Sequence, residues 1–144
     1  MIPAFINFVV LLAISAIHFY WIAGGRWGLA NALPEQNGTK TMKPGPISTL
    51  SVAIIFGAMG FFYLYKIGQF PLADSVVPGW LNRYGLWLLA GIFLLRAIGD
   101  FRYVGFFKRI RNSRFAVLDT RFYSPLCLFL SLNTVLLIFS LSRS

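Results

Sequence analysis

Residues 96–125 read RAIGDFRYVGFFKRIRNSRFAVLDTRFYSP. The stretch leaves one apolar run through Arg96 and Asp100 and enters another through Asp119 and Pro125. Between them aromatic and basic residues alternate. Tyr103, Val104, Phe106, Phe107 and Ile110 fall at i, i+1, i+3, i+4 and i+7, which is one face of a helix. Arg102, Lys108, Arg109, Arg111 and Arg114 take most of the remainder. Such a segment is expected to lie in a membrane interface with its aromatics dipped into the acyl boundary. It therefore reads as a linker between two membrane spans.

The rest of the chain agrees. Of its 144 residues, 58% are apolar and 12% charged, against about 45–50% and about 25% in soluble domains. One domain of this length has no soluble core large enough to hide so much apolar surface. Lipid as the solvent removes that difficulty. Four apolar runs, at about 2–23, 47–65, 81–98 and 122–141, predict an all-α integral membrane four-helix bundle. The first run is uncharged apart from His18 and has no basic leader or small-residue cleavage motif, so it reads as a retained helix. The last run is short if it begins at Pro125. If it begins near Asp119 it is long enough, but Pro125 must then be accommodated inside a helix.

Aromatic residues mark the ends of these runs: Tyr20, Trp21 and Trp27 after the first, Trp80, Tyr84 and Trp87 around the start of the third. Pro3 and Pro46 suit first helical turns. Ala53, Gly57 and Gly60 put small residues along the second run, where another helix backbone approaches closely.

The net charge is +9, and its placement decides its meaning. Arg26, Lys40, Lys43, Arg102, Lys108, Arg109, Arg111, Arg114 and Arg121 lie in the first and third connections. Only Lys66, Arg83 and Arg143 lie on the other side. That asymmetry predicts loops 24–46 and 99–121 in the cytoplasm of a bacterial inner membrane, with both termini outside. Topology and anionic headgroups thus account for the basic residues, and nucleic acid is not an expected partner.

Few chemistries fit. With one cysteine, Cys127, and one histidine, His18, there is no thiolate cluster, CxxC pair or bis-histidine haem site. No cofactor and no metal are expected. Arg96 and Asp100 share a helix face, and the first expectation is an ion pair between them. Asp119 and Thr120 precede the fourth run, where Asp119 either caps the helix or touches a ligand, with Ser124 a competing cap. His18, the one side chain of a type able to exchange protons near neutral pH, is expected at the same depth. The candidate ligand-binding set is His18, Trp21, Arg26, Arg96, Asp100, Arg102, Tyr103, Asp119 and Tyr123. His18 is the one candidate for proton transfer.

The segments HFYWIAGGRWG at 18–28, PIST at 46–49, RAIGDFRYVGFFKR at 96–109 and FAVLDTRFYSPLC at 115–127 resemble a family of small four-helix bacterial membrane proteins classed as a domain of unknown function. The resemblance covers nearly the whole chain and implies the four-helix architecture and a bacterial cell membrane. It carries no catalytic residue. The motifs of the glutathione-transferring membrane enzymes, and the intramembrane carboxylates of the sterol-isomerase-like group, are not matched. Three functions follow as expectations: binding of an anionic lipid or amphiphile at the cytoplasmic side, an enzyme acting on a lipid-soluble substrate through His18, or an accessory subunit that associates with itself or a larger membrane complex.

Overall fold

A computed structural model describes residues 1–33, 35–36, 39–40, 45–71, 76–99, 104–109 and 113–143. Four long helices run up and down: α1 Ile2–Ile22, α3 Pro46–Lys66, α4 Gly79–Ile98, and a last one that begins as α5 at Arg114–Leu118 and continues as α6 at Ser124–Ser142. Each is long and apolar enough to cross a membrane. At about 1.5 Å per residue, twenty-odd residues match a hydrocarbon layer of about 30 Å. The all-α four-helix membrane architecture is therefore the fold. One short helix, α2 Leu29–Ala32, and a two-residue antiparallel ladder pairing Glu35 with Lys40 lie in the first connection.

The helices form two antiparallel pairs. α1 packs on α3 where the small residues are. The Ser15 hydroxyl donates to the Ala53 carbonyl at 2.7 Å. A Cβ on Gly57 would stand 3.3 Å from that hydroxyl, and one on Gly60 would stand 3.4 Å from Phe8. α4 packs on α6 through Leu86, Leu89, Phe93, Leu130 and Leu137, and Ser131 donates to the Ala90 carbonyl at 2.8 Å. Helices in lipid gain little from hiding apolar surface, so close backbones and interhelical hydrogen bonds hold them instead. Large apolar side chains such as Val9, Ile54, Leu95 and Leu136 point outward, as a lipid-facing surface requires.

A buried polar network joins the two pairs. The Asn7 amide nitrogen donates to the Leu130 carbonyl at 3.3 Å and to Thr134 Oγ1 at 3.0 Å. Asn133 donates to Asn7 Oδ1 at 2.7 Å and to the Pro3 carbonyl at 2.8 Å. The Tyr63 hydroxyl meets Thr134 Oγ1 at 2.6 Å. Asn7, Tyr63 and Thr134 are fully buried. This network ties α1, α3 and α6 together in the half of the bundle nearer the chain termini.

Two expectations change. The fourth span starts at Arg114, not at 122, and runs for 29 residues. Its N-cap is Ser113, whose hydroxyl accepts the Ala116 amide at 3.0 Å, so Asp119 and Ser124 are not caps but lie inside the helix. Pro125 is accommodated by a π turn at Asp119–Tyr123, closed by the Ser124 amide donating to the Asp119 carbonyl. Proline offers no N–H and its ring crowds the carbonyl four residues back; one wider turn relieves both.

The second change concerns the helix expected between spans three and four. Tyr103 and Ile110 lie outside the described residues, and 104–109 form bends and turns. Gly99 and Gly105 both have φ of +91°, and the two approach so closely that a Cβ on either would strike the other's strand of backbone. The Phe106 amide donates to the Ala97 carbonyl at 2.9 Å. The chain thus folds back onto the end of α4 and turns Lys108 inward.

Candidate functional site

The end of the bundle that carries the first and third connections holds a buried charge cluster. Asp119 is completely buried. Its Oδ1 accepts from Arg96 Nη2 at 3.0 Å. Its Oδ2 accepts from Lys108 Nζ at 2.8 Å, the Gly105 amide at 2.7 Å and the Ser124 hydroxyl at 3.2 Å. Lys108, whose side chain is 1% exposed, also donates to the Gly105 carbonyl at 3.1 Å and to Thr120 Oγ1 at 2.6 Å.

Local structure explains each position. Arg96 stands in the last turn of α4, where a cation suits the helix dipole. The π turn swings Asp119 towards that helix end. The Gly99–Gly105 contact brings the amide and carbonyl of Gly105 within reach of the same carboxylate and ammonium. A buried ion pair needs such extra hydrogen bonds to offset the loss of hydration.

Among the described residues two cations face one anion, a net charge of +1 for those three side chains. The excess belongs to Arg96, because Lys108 and Asp119 are sealed while the Arg96 side chain is 34% exposed. Among the described residues Arg96 Nη1 is a buried donor with no hydrogen-bond partner. A guanidinium presents its donors as a planar fork that matches carboxylate and phosphate oxygens. One edge of the fork is taken by Asp119. The other is left for an acceptor.

The remaining sequence candidates separate into groups. Asp100, Arg102 and Tyr103 lie outside the described residues, and Arg96 takes Asp119 as its partner. Tyr123 lies one helical turn beyond Asp119; its ring meets Phe115 at 6.0 Å and its hydroxyl donates to the Asn31 carbonyl at 3.5 Å, which ties α2 to this end. Arg26 is exposed after α1. Trp21 donates to the Trp27 carbonyl at 2.8 Å. Its ring packs edge-on against His18 at 4.8 Å. His18 Nδ1 lies 2.8 Å from the Ile14 carbonyl and therefore carries the proton donated to it, and Phe56 of α3 covers the ring at 6.1 Å. Among the described residues no hydrogen bond, ion pair or ring contact connects His18 to the Asp119 cluster.

With the fold and this cluster in view, one comparison decides the relationship. Residues 11–134 match the family described as "Protein of unknown function (DUF3995)". The chain belongs to the DUF3995 family. No curated protein and no solved structure matches it. In this DUF3995 chain the matched span contains Arg96, Gly105, Lys108, Asp119 and Ser124 as well as the interior residues Asn7's partners Asn133 and Thr134. Sequence reasoning missed Lys108, Gly105 and Ser124 as site residues. Nothing in the sequence marks Lys108, which reads as one more loop cation.

Among the described residues no three of His, Cys, Asp and Glu gather as a metal site. What this site offers chemically is charge and hydrogen bonding to an anion, arranged on a rigid support.

Proposed function

We propose that this DUF3995 protein is a bacterial inner-membrane protein that binds an anionic lipid or amphiphile at the Arg96–Lys108–Asp119 end of its bundle. The loops at that end are assigned to the cytoplasm and both termini to the opposite side. The observation that carries the proposal is Arg96 Nη1, a buried guanidinium donor with no partner among the described residues, beside a cluster whose described members sum to a positive charge. Lys108 and Asp119 hold the support; Arg96, whose side chain is 34% exposed, supplies the unpartnered donor. The level of the site, at the end of two spans, is the depth of lipid headgroups, and cations near an anionic leaflet are attracted to it.

The proton-transfer reading has less support. His18 is held by Ile14, Trp21 and Phe56, away from the one carboxylate of the described site. Self-association or membership in a larger complex draws on no specific contact.

The proposal is tested by extracting the protein in mild detergent and identifying the lipid that travels with it by mass spectrometry. Anionic lipid should be enriched over the membrane average, and Arg96→Ala should lower that enrichment. Equal enrichment with and without Arg96 would refute it.

A further inference from the structure

A second site stands at the opposite end of the bundle, independent of the one above. A cavity of about 200 Å³ opens between the end of α3, the start of α4 and the end of α6. Its lining includes the polar Lys66, Asn82 and Arg83 and the apolar Leu86, Trp87 and Ile138. The Lys66 ammonium donates to the carbonyl and side-chain oxygens of Asn82 at 2.9 and 2.8 Å, neither of which carries a charge. The Arg83 guanidinium lies 5.5 Å over the Tyr84 ring. Among the described residues neither cation is paired with an acid.

This end of the protein has few basic residues, yet two of them converge on one cavity. The wall beneath them is apolar, and Trp87, half-exposed on the outer surface of α4, puts the opening beside the acyl region. A cationic mouth over an apolar wall complements an amphiphile with an anionic head. The volume is large enough for several waters. That is room for a phosphate and the carbons next to it, with the acyl chains remaining in the bilayer.

We infer that Lys66 and Arg83 form a headgroup site for an anionic phospholipid of the leaflet at the terminal end of the bundle. The phosphate accepts from both cations, and the first acyl carbons run along Leu86, Trp87 and Ile138.

The test uses the full chain with Trp21, Trp27 and Trp80 replaced by Phe, so that Trp87 reports alone. It is reconstituted with phosphatidylcholine containing a small, equal fraction of either brominated phosphatidylglycerol or brominated phosphatidylcholine. Trp87 should be quenched at lower mole fraction by the anionic lipid, by roughly fivefold or more. Lys66→Gln with Arg83→Gln should bring the two quenching curves together, while Lys66→Arg with Arg83→Lys, which keeps both charges, should preserve the difference. Arg96→Gln should leave it unchanged. Equal quenching in the starting protein, or a preference that survives loss of both charges, would overturn the assignment. So would displacement of the brominated lipid by inorganic phosphate alone, which would mark the site as one for a free anion.

Discussion

The Lys108 ammonium lies 2.8 Å from Asp119 Oδ2, and the two side chains are 1% and 0% exposed. Eleven residues separate them in sequence, and a fold-back at two glycines and a π turn are both needed to bring them together. The pair fixes the third connection to the bundle and sets the orientation of Arg96.

Removing one member should therefore be costly. Asp119→Asn leaves a buried ammonium without its counter-charge and is expected to lose about 3–5 kcal/mol, read as a lowered thermal midpoint in detergent. Lys108→Met combined with Asp119→Leu should cost less than the two single changes added together, because each alone strands a charge. Additive losses would show that the pair is not coupled.

The fold-back itself depends on Gly99 and Gly105. Gly105→Ala forces a Cβ into the Ile98 carbonyl at a φ of +91°, a conformation that costs an alanine about 1 kcal/mol or more before the collision is counted. The expected outcome is faster proteolysis between α4 and α5 with the helical content retained. A cleavage rate equal to that of the unaltered chain would contradict the strap.

The interior network makes a separate prediction. Asn133→Leu leaves Asn7 Oδ1 and the Pro3 carbonyl without their donor. Interhelical hydrogen bonds in membranes are worth about 0.6 kcal/mol on average and at most about 1.7, so a loss of about 1–2 kcal/mol is expected for this two-bond residue. Refolding equilibria in mixed micelles measure it.

Orientation is checked with single cysteines. After Cys127→Ser, Arg143→Cys should react with a membrane-impermeant maleimide on intact spheroplasts, and Arg109→Cys only after permeabilisation. The reverse pattern would invert the topology and place the Arg96 site outside.

How much of this was legible beforehand differs from residue to residue. The spans were, because lipid demands about twenty apolar residues in a row and nothing else in the chain competes for that role. The α1–α3 contact was legible in Ala53, Gly57 and Gly60, where small residues leave room for a neighbouring backbone. Lys108 was not. It looks like one more loop cation, and only the φ values of Gly99 and Gly105, which no periodicity reports, turn it inward. Asn7 and Asn133 read as isolated polar residues in apolar runs; their partnership needs the register between α1 and α6. His18 shows the limit of arguing from depth. It was placed level with Asp119 along the membrane normal, but the α1 face that carries it looks towards Phe56 of α3.

The central claim, that Arg96 holds an anionic headgroup, is tested most directly by titrating phosphatidylglycerol into the delipidated protein and counting bound lipids by native mass spectrometry. Arg96→Gln is compared with the unaltered Arg96 protein, both carrying Lys66→Gln and Arg83→Gln so that only this site is counted, with the Lys108–Asp119 pair left in place to preserve the fold. A charge-assisted hydrogen bond of about 1.5–3 kcal/mol predicts that the first bound lipid dissociates about tenfold or more readily from the variant. An unchanged affinity in a folded Arg96→Gln protein would contradict the account.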